Sequence, residues 1–128
     1  MDINVTVQQA REPVAIMHLQ GNIDASNFVQ LVDKAREIYQ DSAHNLILDL
    51  SAVPNISSTG LAAIHKIALL YSGVPEKDSH PDLTHSSTAR KHVKLLSPQP
   101  SVDKALETAG LKLFFKVFHD LDSALNSF

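Results

Sequence analysis

A short, nearly continuous run of aliphatic residues near the middle of the chain constrains the fold most strongly. The run reads Leu46-Ile47-Leu48-Asp49-Leu50, whereas a strand with one face in water alternates apolar and polar side chains. Runs of this kind are typical of strands that are covered on both faces in α/β sheets. We therefore predict that this segment is a central strand of a sheet with helices packed against it.

The apolar patterns elsewhere predict strands and helices in the order β β α β α β α β α. Further strands are predicted over residues 3–8, 14–19, 93–96 and 113–118. Helices are predicted to begin at Ser26 or Asn27, at about Ser58, at Ser97 or Ser101, and at Asp120. Gly110 is predicted to close the third helix in a left-handed cap. This order favours one α/β domain over residues 1–128, in which helices cover a single sheet.

Between the second helix and the following strand, residues 72–92 contain two prolines and a glycine and show no apolar periodicity. We predict a long loop insertion here, since loops beyond about 12 to 15 residues are uncommon inside compact domains. Four potential metal ligands lie in it, namely His80, Asp82, His85 and His92. A proline-containing loop does not hold ligands at the fixed spacing that zinc sites use, so we predict no metal site.

Composition narrows the class of protein. A formal net charge of -3, spread along the chain, gives no basic surface for nucleic acid or anionic membranes, so protein partners are expected. The absence of cysteine excludes disulfides, thiolate metal sites and a cysteine nucleophile. No apolar stretch approaches the ~18 residues needed to span a bilayer, and the first residues lack the pattern of a signal peptide. We expect a cytoplasmic protein without membrane insertion.

Enzyme chemistry finds little support in the sequence. Ser58 and His65 could form a triad with Asp24 or Asp49, but seven residues of helix separate the serine from the histidine by about 10 Å. That distance excludes direct proton transfer. The chain also lacks a nucleophile elbow, a P-loop and a dinucleotide fingerprint. We predict no catalytic residues, no cofactor and no enzyme activity.

Two polar segments follow predicted strands, at residues 21–25 and 55–61, and could share one edge of the sheet. Ser58 lies where a helix begins, and the free N–H groups and partial positive charge of a helix amino terminus stabilise an added phosphate. Serine and threonine at such positions are also common helix caps that contribute about 1 kcal/mol. Similarly, Asp24 could be a turn residue or a functional one, and Gly60 could simply allow close packing.

The spacing of these segments resembles the STAS domain family (sulfate transporter and anti-sigma factor antagonist). The resemblance lies in Gly21-Asn22-Ile23-Asp24-Ala25, in the central strand, and in Ser57-Ser58-Thr59-Gly60-Leu61. It extends to Pro100-Ser101-Val102, Gly110-Leu111, the aromatic residues 114–118 and Ala124-Leu125. Apart from the insertion, it covers nearly the whole chain.

This resemblance implies a mixed sheet of four or five strands with about four helices packed mainly on one face. It also implies an anti-sigma factor antagonist that binds an anti-sigma factor or serine kinase and is released by phosphorylation at the start of the second helix, with a phosphatase reversing the step. Matching the family glycine to Gly60 puts the acceptor at Ser58. The expected partner-binding residues are Asp24, Ser57, Ser58, Thr59, Gly60, Ala62, His65 and Lys66.

One position departs from the family pattern, because Ser57 stands where the family usually has an aspartate before the acceptor. If that carboxylate orients the acceptor, Ser57 or Thr59 is an alternative phosphorylation site. The alternative function is a non-phosphorylated accessory or scaffold STAS subunit of a stressosome-like or transporter-associated complex, with Ser58 serving only the helix end. The sequence does not fix the oligomeric state.

Overall fold

A computed structural model describes residues 2–71, 92–113 and 115–128. Within these residues, five strands form one sheet in the order β1-β2-β3-β4-β5. They are β1 (Asp2–Gln9), β2 (Pro13–Gln20), β3 (Asn45–Ala52), β4 (Val93–Leu96) and β5 (Lys116–Phe118). β1 pairs antiparallel with β2, and the other neighbouring strands pair in parallel. The sheet is therefore mixed, as the resemblance implied.

Helices cover the two faces of the sheet unequally. They are α1 (Phe28–Asp41), α2 (Ser58–Tyr71), α3 (Pro100–Thr108) and α4 (Leu121–Asn126). The first three supply buried side chains to one large core with the sheet, whereas α4 packs with a smaller apolar cluster on the opposite face. The prediction that helices pack mainly on one face is confirmed.

The position of β3 in the sheet explains the aliphatic run at residues 46–50. β3 lies between β2 and β4, in the middle of the sheet. Leu46, Leu48 and Leu50 belong to the large core beneath α1, α2 and α3, while Ile47 belongs to the cluster beneath α4. All four side chains have no exposed surface. The strand needs apolar residues at successive positions because both of its faces are covered.

The predicted helix starts are confirmed in part. α2 begins at Ser58 and α4 at Leu121, where the Asp120 side chain accepts a hydrogen bond of 2.9 Å from the Ser123 N–H. Asn27 precedes α1 but makes no side-chain capping bond. The prediction for α3 is wrong, because the helix begins at Pro100. Proline suits the first position of a helix, where a backbone N–H would have no partner within the helix. Neither Ser97 nor Ser101 is its cap.

The last strand is also shorter than predicted. Residues 113–118 were expected to form it, but Leu111–Leu113 form a 3₁₀ helix and β5 covers only Lys116–Phe118. Gly110 has the predicted left-handed backbone, with φ of +77°. The chain continues from it into a further helical turn, in which the Leu113 N–H donates to the Gly110 carbonyl at 3.1 Å. Apolar runs this short do not distinguish a helical turn from a strand.

The predicted insertion lies outside the described residues except for its last residue, His92. The potential metal ligands His80, Asp82 and His85, for which we predicted no metal site, lie outside them as well. The His92 Nδ1 is 2.8 Å from the Asn45 Oδ1.

Candidate functional site

The two polar segments singled out in the sequence meet at one edge of the sheet. Beyond the ends of β2 and β3, Ile23 and Ile56 form an isolated parallel bridge. The Ile23 N–H donates to the Asn55 carbonyl at 3.1 Å, and the Ser57 N–H donates to the Ile23 carbonyl at 2.9 Å. The prediction that both segments share an edge is confirmed, and backbone hydrogen bonds hold them in a fixed relative position.

Two adjacent serines at the start of α2 occupy different positions in the helix. Ser57 is the N-cap, since its Oγ accepts a hydrogen bond of 3.1 Å from the Gly60 N–H and its carbonyl accepts one of 2.9 Å from the Leu61 N–H. Ser58 is the first helical residue and is exposed, as is Thr59. The Ser58 hydroxyl is therefore accessible at the positive end of the helix dipole.

Gly60 belongs to the same first turn of α2 and is buried. A Cβ atom at this position would lie 2.5 Å from the Ile23 carbonyl oxygen and 2.7 Å from the Ile56 Cγ1. Only glycine allows the helix to approach the loop after β2 so closely. Of the predicted partner-binding residues, Gly60 thus supports the surface from below and does not lie on it.

Asp24 organises the loop between β2 and α1. Its Oδ1 accepts hydrogen bonds from the Ser26 N–H at 2.9 Å and from the Ser26 hydroxyl at 2.5 Å. These bonds hold the pKa of the Asp24 carboxyl below its usual value. The Asn27 side chain accepts from the Asp24 N–H at 2.9 Å and donates to the Asn22 carbonyl at 2.7 Å. Asp24 has the turn role that was one of its two interpretations.

The exposed part of α2 continues the same edge. Ala62 and Lys66 are exposed and His65 is half-buried. We call the exposed or partly exposed predicted residues the Ser58 surface, which comprises Asp24, Ser57, Ser58, Thr59, Ala62, His65 and Lys66. Val29, in the first turn of α1, lies at this end of the molecule with 66% of its surface exposed. Its exposure was not anticipated, because it occupies one position in an otherwise ordinary amphipathic pattern.

Sequence reasoning also missed the neighbour of Ser58 on α3. A shallow groove of about 410 Å³ separates the first turn of α2 from α3. Its lining includes Ser58, Leu61, Ser101, Lys104 and Thr108. The Ser101 Oγ donates to the Pro54 carbonyl at 2.6 Å, which ties α3 to the loop before α2. Parallel pairing of β3 with β4 brings the segments after both strands to the same edge, and the strand order could have indicated this.

Asp49 lies on the other side of the sheet from α2. Side chains alternate along β3, so Asp49 points to the α4 face while Leu48 and Leu50 point towards α2. Its Oδ2 is 2.8 Å from the His18 Nδ1, and its Oδ1 accepts from the Ser51 N–H at 3.0 Å. The triad of Ser58, His65 and Asp49 is thus excluded by the fold as well as by helical spacing.

Within residues 2–71, 92–113 and 115–128, no cluster of three or more histidine and carboxylate side chains is placed to hold a metal ion. No helix in the same part of the chain combines the length and apolar character needed to cross a membrane.

The sequence profile of the STAS domain matches residues 5–72, more than half of the chain. The protein therefore belongs to the STAS domain family. No curated protein sequence matches it significantly.

The fold is similar to several solved structures. An anti-sigma factor antagonist from Mycobacterium paratuberculosis superposes with a TM-score of 0.69 and 22% identity, covering 98% of this chain and 93% of that one. The unphosphorylated anti-sigma factor antagonist SpoIIAA, from Bacillus, superposes with a TM-score of 0.65 and 18% identity, covering 96% of this chain and 94% of that one. A sulfate transporter family protein from Wolinella succinogenes superposes with a TM-score of 0.63 and 18% identity, covering 88% of this chain and 82% of that one. At these identities the likeness establishes a shared fold.

Proposed function

We propose that this protein is a cytoplasmic anti-sigma factor antagonist, a binding protein and not an enzyme. It binds an anti-sigma factor or switch kinase through the Ser58 surface and is released when that serine kinase phosphorylates Ser58. A phosphatase restores the binding form. The observation that carries the proposal is the exposed Ser58 hydroxyl at the first position of α2, in the middle of a surface assembled from two loops and a helix.

The composition of this surface suits a protein partner. Ala62 offers a small apolar contact, and Lys66 contributes a positive charge at the exposed side of α2. The surface rests on hydrogen-bonded loops and on the close contact beneath Gly60, so little ordering is needed when a partner docks. Such a preformed surface supports specific recognition.

The position of Ser58 suits a phosphorylation switch. A phosphate would add about -1.5 to -2 charges at the amino terminus of α2, where the helix dipole stabilises it. Lys104 lines the groove beside Ser58 and adds a positive charge nearby. The folded protein therefore tolerates the modification, whereas a docked partner has to desolvate the phosphate or accommodate it. The same charge that is stable in the free protein disfavours the complex.

Ser57 departs from the family pattern without disturbing this geometry. An aspartate at the N-cap would accept a hydrogen bond from the helix N–H groups, and the Ser57 Oγ already does so with the Gly60 N–H. The substitution removes one negative charge next to the acceptor. The start of the helix is preserved, and we infer that Ser58 remains the acceptor.

The test is to incubate the protein with a cognate anti-sigma factor kinase and ATP, and then to locate the phosphate by mass spectrometry. We expect one phosphate, on Ser58. In calorimetric titrations, Ser58→Asp should weaken kinase binding by about 100-fold or more, because an uncompensated charge at an interface costs several kcal/mol. Ser58→Ala should bind like the wild type and accept no phosphate. Gln40→Glu, a single added charge on an exposed position of α1, is the matched control.

Unchanged kinase binding by Ser58→Asp would contradict the proposed phosphorylation switch. If that variant also supports function in cells, the accessory or scaffold role becomes the better assignment, and the likeness to a sulfate transporter family protein gives that role a structural precedent. Phosphate found on Ser57 or Thr59 would instead move the acceptor within the same turn.

A further inference from the structure

β1 is an outermost strand of the sheet and lacks the features that usually keep such a strand from pairing further. Within the described residues it pairs with β2 alone, along its whole length and without a bulge. The backbone N–H and C=O groups of alternate residues therefore point away from β2. β1 contains no proline, lysine or arginine, and Asp2 is its single charged residue. Proteins commonly protect outermost strands with prolines, lysines, bulges or short length.

The outermost strand on the other side, β5, has two of these protective features. It is only three residues long, and its first residue is the exposed Lys116. β1, in contrast, is eight residues long. The two sides of the sheet therefore differ, and β1 is the side that can accept a further strand.

The side chains of β1 form one apolar row and one polar row. Ile3 and Val5 pack against the large core, and Val7, two residues further along the same face, has 47% of its surface exposed. The polar row, on the opposite face, consists of Asn4, Thr6 and Gln8. A further strand that covers Val7 needs apolar side chains on one face and polar side chains on the other.

A second copy of β1 meets this requirement. In an antiparallel pair with a twofold axis through Val5, Val5 lies opposite Val5 and Ile3 lies opposite Val7. Every apolar side chain of the strand then faces an apolar one, and Val7 is covered. A register with Thr6 on the axis would instead place Ile3 opposite the polar Gln9. The apolar row therefore selects the register centred on Val5.

Charge is compatible with the same pairing. Asp2 lies opposite Gln8 in this register, so the single charge of the strand does not meet its own copy. A stripe of α1 borders β1, because Ile3 lines a shallow cleft with residues that include Asp33 and Lys34. α1 runs in the direction of β1, since it connects the parallel strands β2 and β3 and β1 is antiparallel to β2. The axis therefore reverses this stripe as well, and its mixed signs allow opposite charges to meet.

We propose that this protein forms a homodimer in which β1 pairs antiparallel with β1 of a second copy, so that the five strands of each copy join into one continuous sheet. Ser58 follows β3, two strands away from the pairing, and the Ser58 surface stays uncovered. The strands of the two copies run in opposite directions, so their Ser58 surfaces lie at opposite ends of the dimer. The dimer does not depend on phosphorylation of Ser58.

The first test is sedimentation equilibrium of the full chain at increasing concentration. We expect the mean mass to rise from that of one chain to that of two and no further, because each copy has one such strand. Val7→Lys should weaken dimerisation by about tenfold or more, since it buries a charge against an apolar side chain. Leu113→Lys is the matched control, because Leu113 is also an exposed apolar residue but lies beside β5. The mass of one chain at every concentration would overturn the proposal, as would equal weakening by both variants.

Cysteine cross-linking tests the register. The chain contains no cysteine, so each introduced cysteine marks one position. Val5→Cys should form a disulfide-linked dimer under mild oxidation, since residues directly opposite each other have the Cα separation that a disulfide requires. Val7→Cys should link to Ile3→Cys in a mixture but not to itself, and this pair decides the register even if Val5→Cys fails to fold. Efficient linking of Val7→Cys to itself would contradict the interface. Ser58→Asp should dimerise like the wild type, which separates this proposal from the partner switch.

Discussion

Neighbouring hydroxyl groups at the start of α2 have different physical roles, although the sequence does not distinguish them. The Oγ of Ser57 accepts a hydrogen bond from the helix and is part of the fold. Ser58, one residue further on, is exposed at the first position of the helix. An aspartate or serine satisfies the cap position equally well. The phosphorylation that we propose at Ser58 therefore leaves the hydrogen bond of the neighbouring cap residue in place.

Asp49 shows the same separation of roles within an apolar strand. Burial alone would raise the pKa of its carboxyl group, but hydrogen bonds from Ser51 and the contact with His18 bring that pKa below its usual value of 3.8. These partners explain why a carboxylate is tolerated among leucines. They also make the interaction dependent on pH.

We predict that acid weakens the fold partly through Asp49. A carboxyl group whose pKa is lowered by folding stabilises the protein above its unfolded pKa, and this contribution is lost as the pH falls through the folded pKa. The unfolding free energy of Asp49→Asn should therefore fall less steeply than that of the wild type as the pH is lowered from about 5 towards 2. Urea unfolding across this range measures the slope. Gln30→Ala, at an exposed position of α1, should keep the wild-type slope, and an unchanged slope in Asp49→Asn would contradict the assignment.

At the scale of elements, the first turn of α2 depends on contact with the loop after β2. Glycine is usually unfavourable inside a helix, where alanine stabilises the helix by about 1 kcal/mol more. Here an added Cβ would lie 2.5 Å from the Ile23 carbonyl oxygen, which belongs to the backbone and cannot rotate away. The first turn of α2 and the loop after β2 therefore hold each other in position. The Ser58 surface, which lies on both, is held in the same way.

We predict that Gly60→Ala destabilises the protein by about 1 to 3 kcal/mol, the reverse of the usual effect in a helix, because the turn has to move away from Ile23. Partner binding should weaken as well, since Ser58 moves with the turn. Chemical denaturation and calorimetry measure the two effects. Thr59→Ala, at the exposed neighbouring position, serves as the control for stability. An unfolding free energy at or above that of the wild type in Gly60→Ala would show that the contact is dispensable.

The elements differ in how well the sequence predicts them, for physical reasons. β3, α2 and β4 follow from continuous apolar runs and clear helical spacing, and their bounds agree closely with the structure. The segment after Gly110 does not, since burial of Leu111 and Phe115 is compatible with either a strand or a helical turn. The groove beside Ser58 depends on Ser101 and Lys104, which lie more than forty residues further along the chain than Ser58. Local patterns contain no information on that pairing.

At the scale of the whole molecule, the sheet separates two chemically different ends. The edge beyond the carboxyl ends of β2 and β3 presents Ser58 on the surface that we propose binds a protein partner. The opposite edge presents a cavity of about 660 Å³ whose described lining includes Arg11, Glu12 and Lys116. β3 is the element common to both, because Asn45 lines the cavity at its first residue and the loop before Ser58 follows its last. Rigidity of the central strand is therefore important at both ends.

Unequal covering of the sheet predicts unequal local stability. β3 is paired on both sides and buried on both faces, whereas β5 is a three-residue strand at the edge and α4 has six residues. Amide protons of β3 should exchange only through global unfolding, while those of β5 and α4 should exchange faster through local opening. Native-state hydrogen exchange measured by NMR as a function of denaturant separates these regimes. Ala124→Gly, which removes a buried methyl group from α4, should accelerate exchange in α4 and β5 much more than in β3. Exchange that is equally slow in all three elements would mean that the small apolar cluster under α4 unfolds together with the main core.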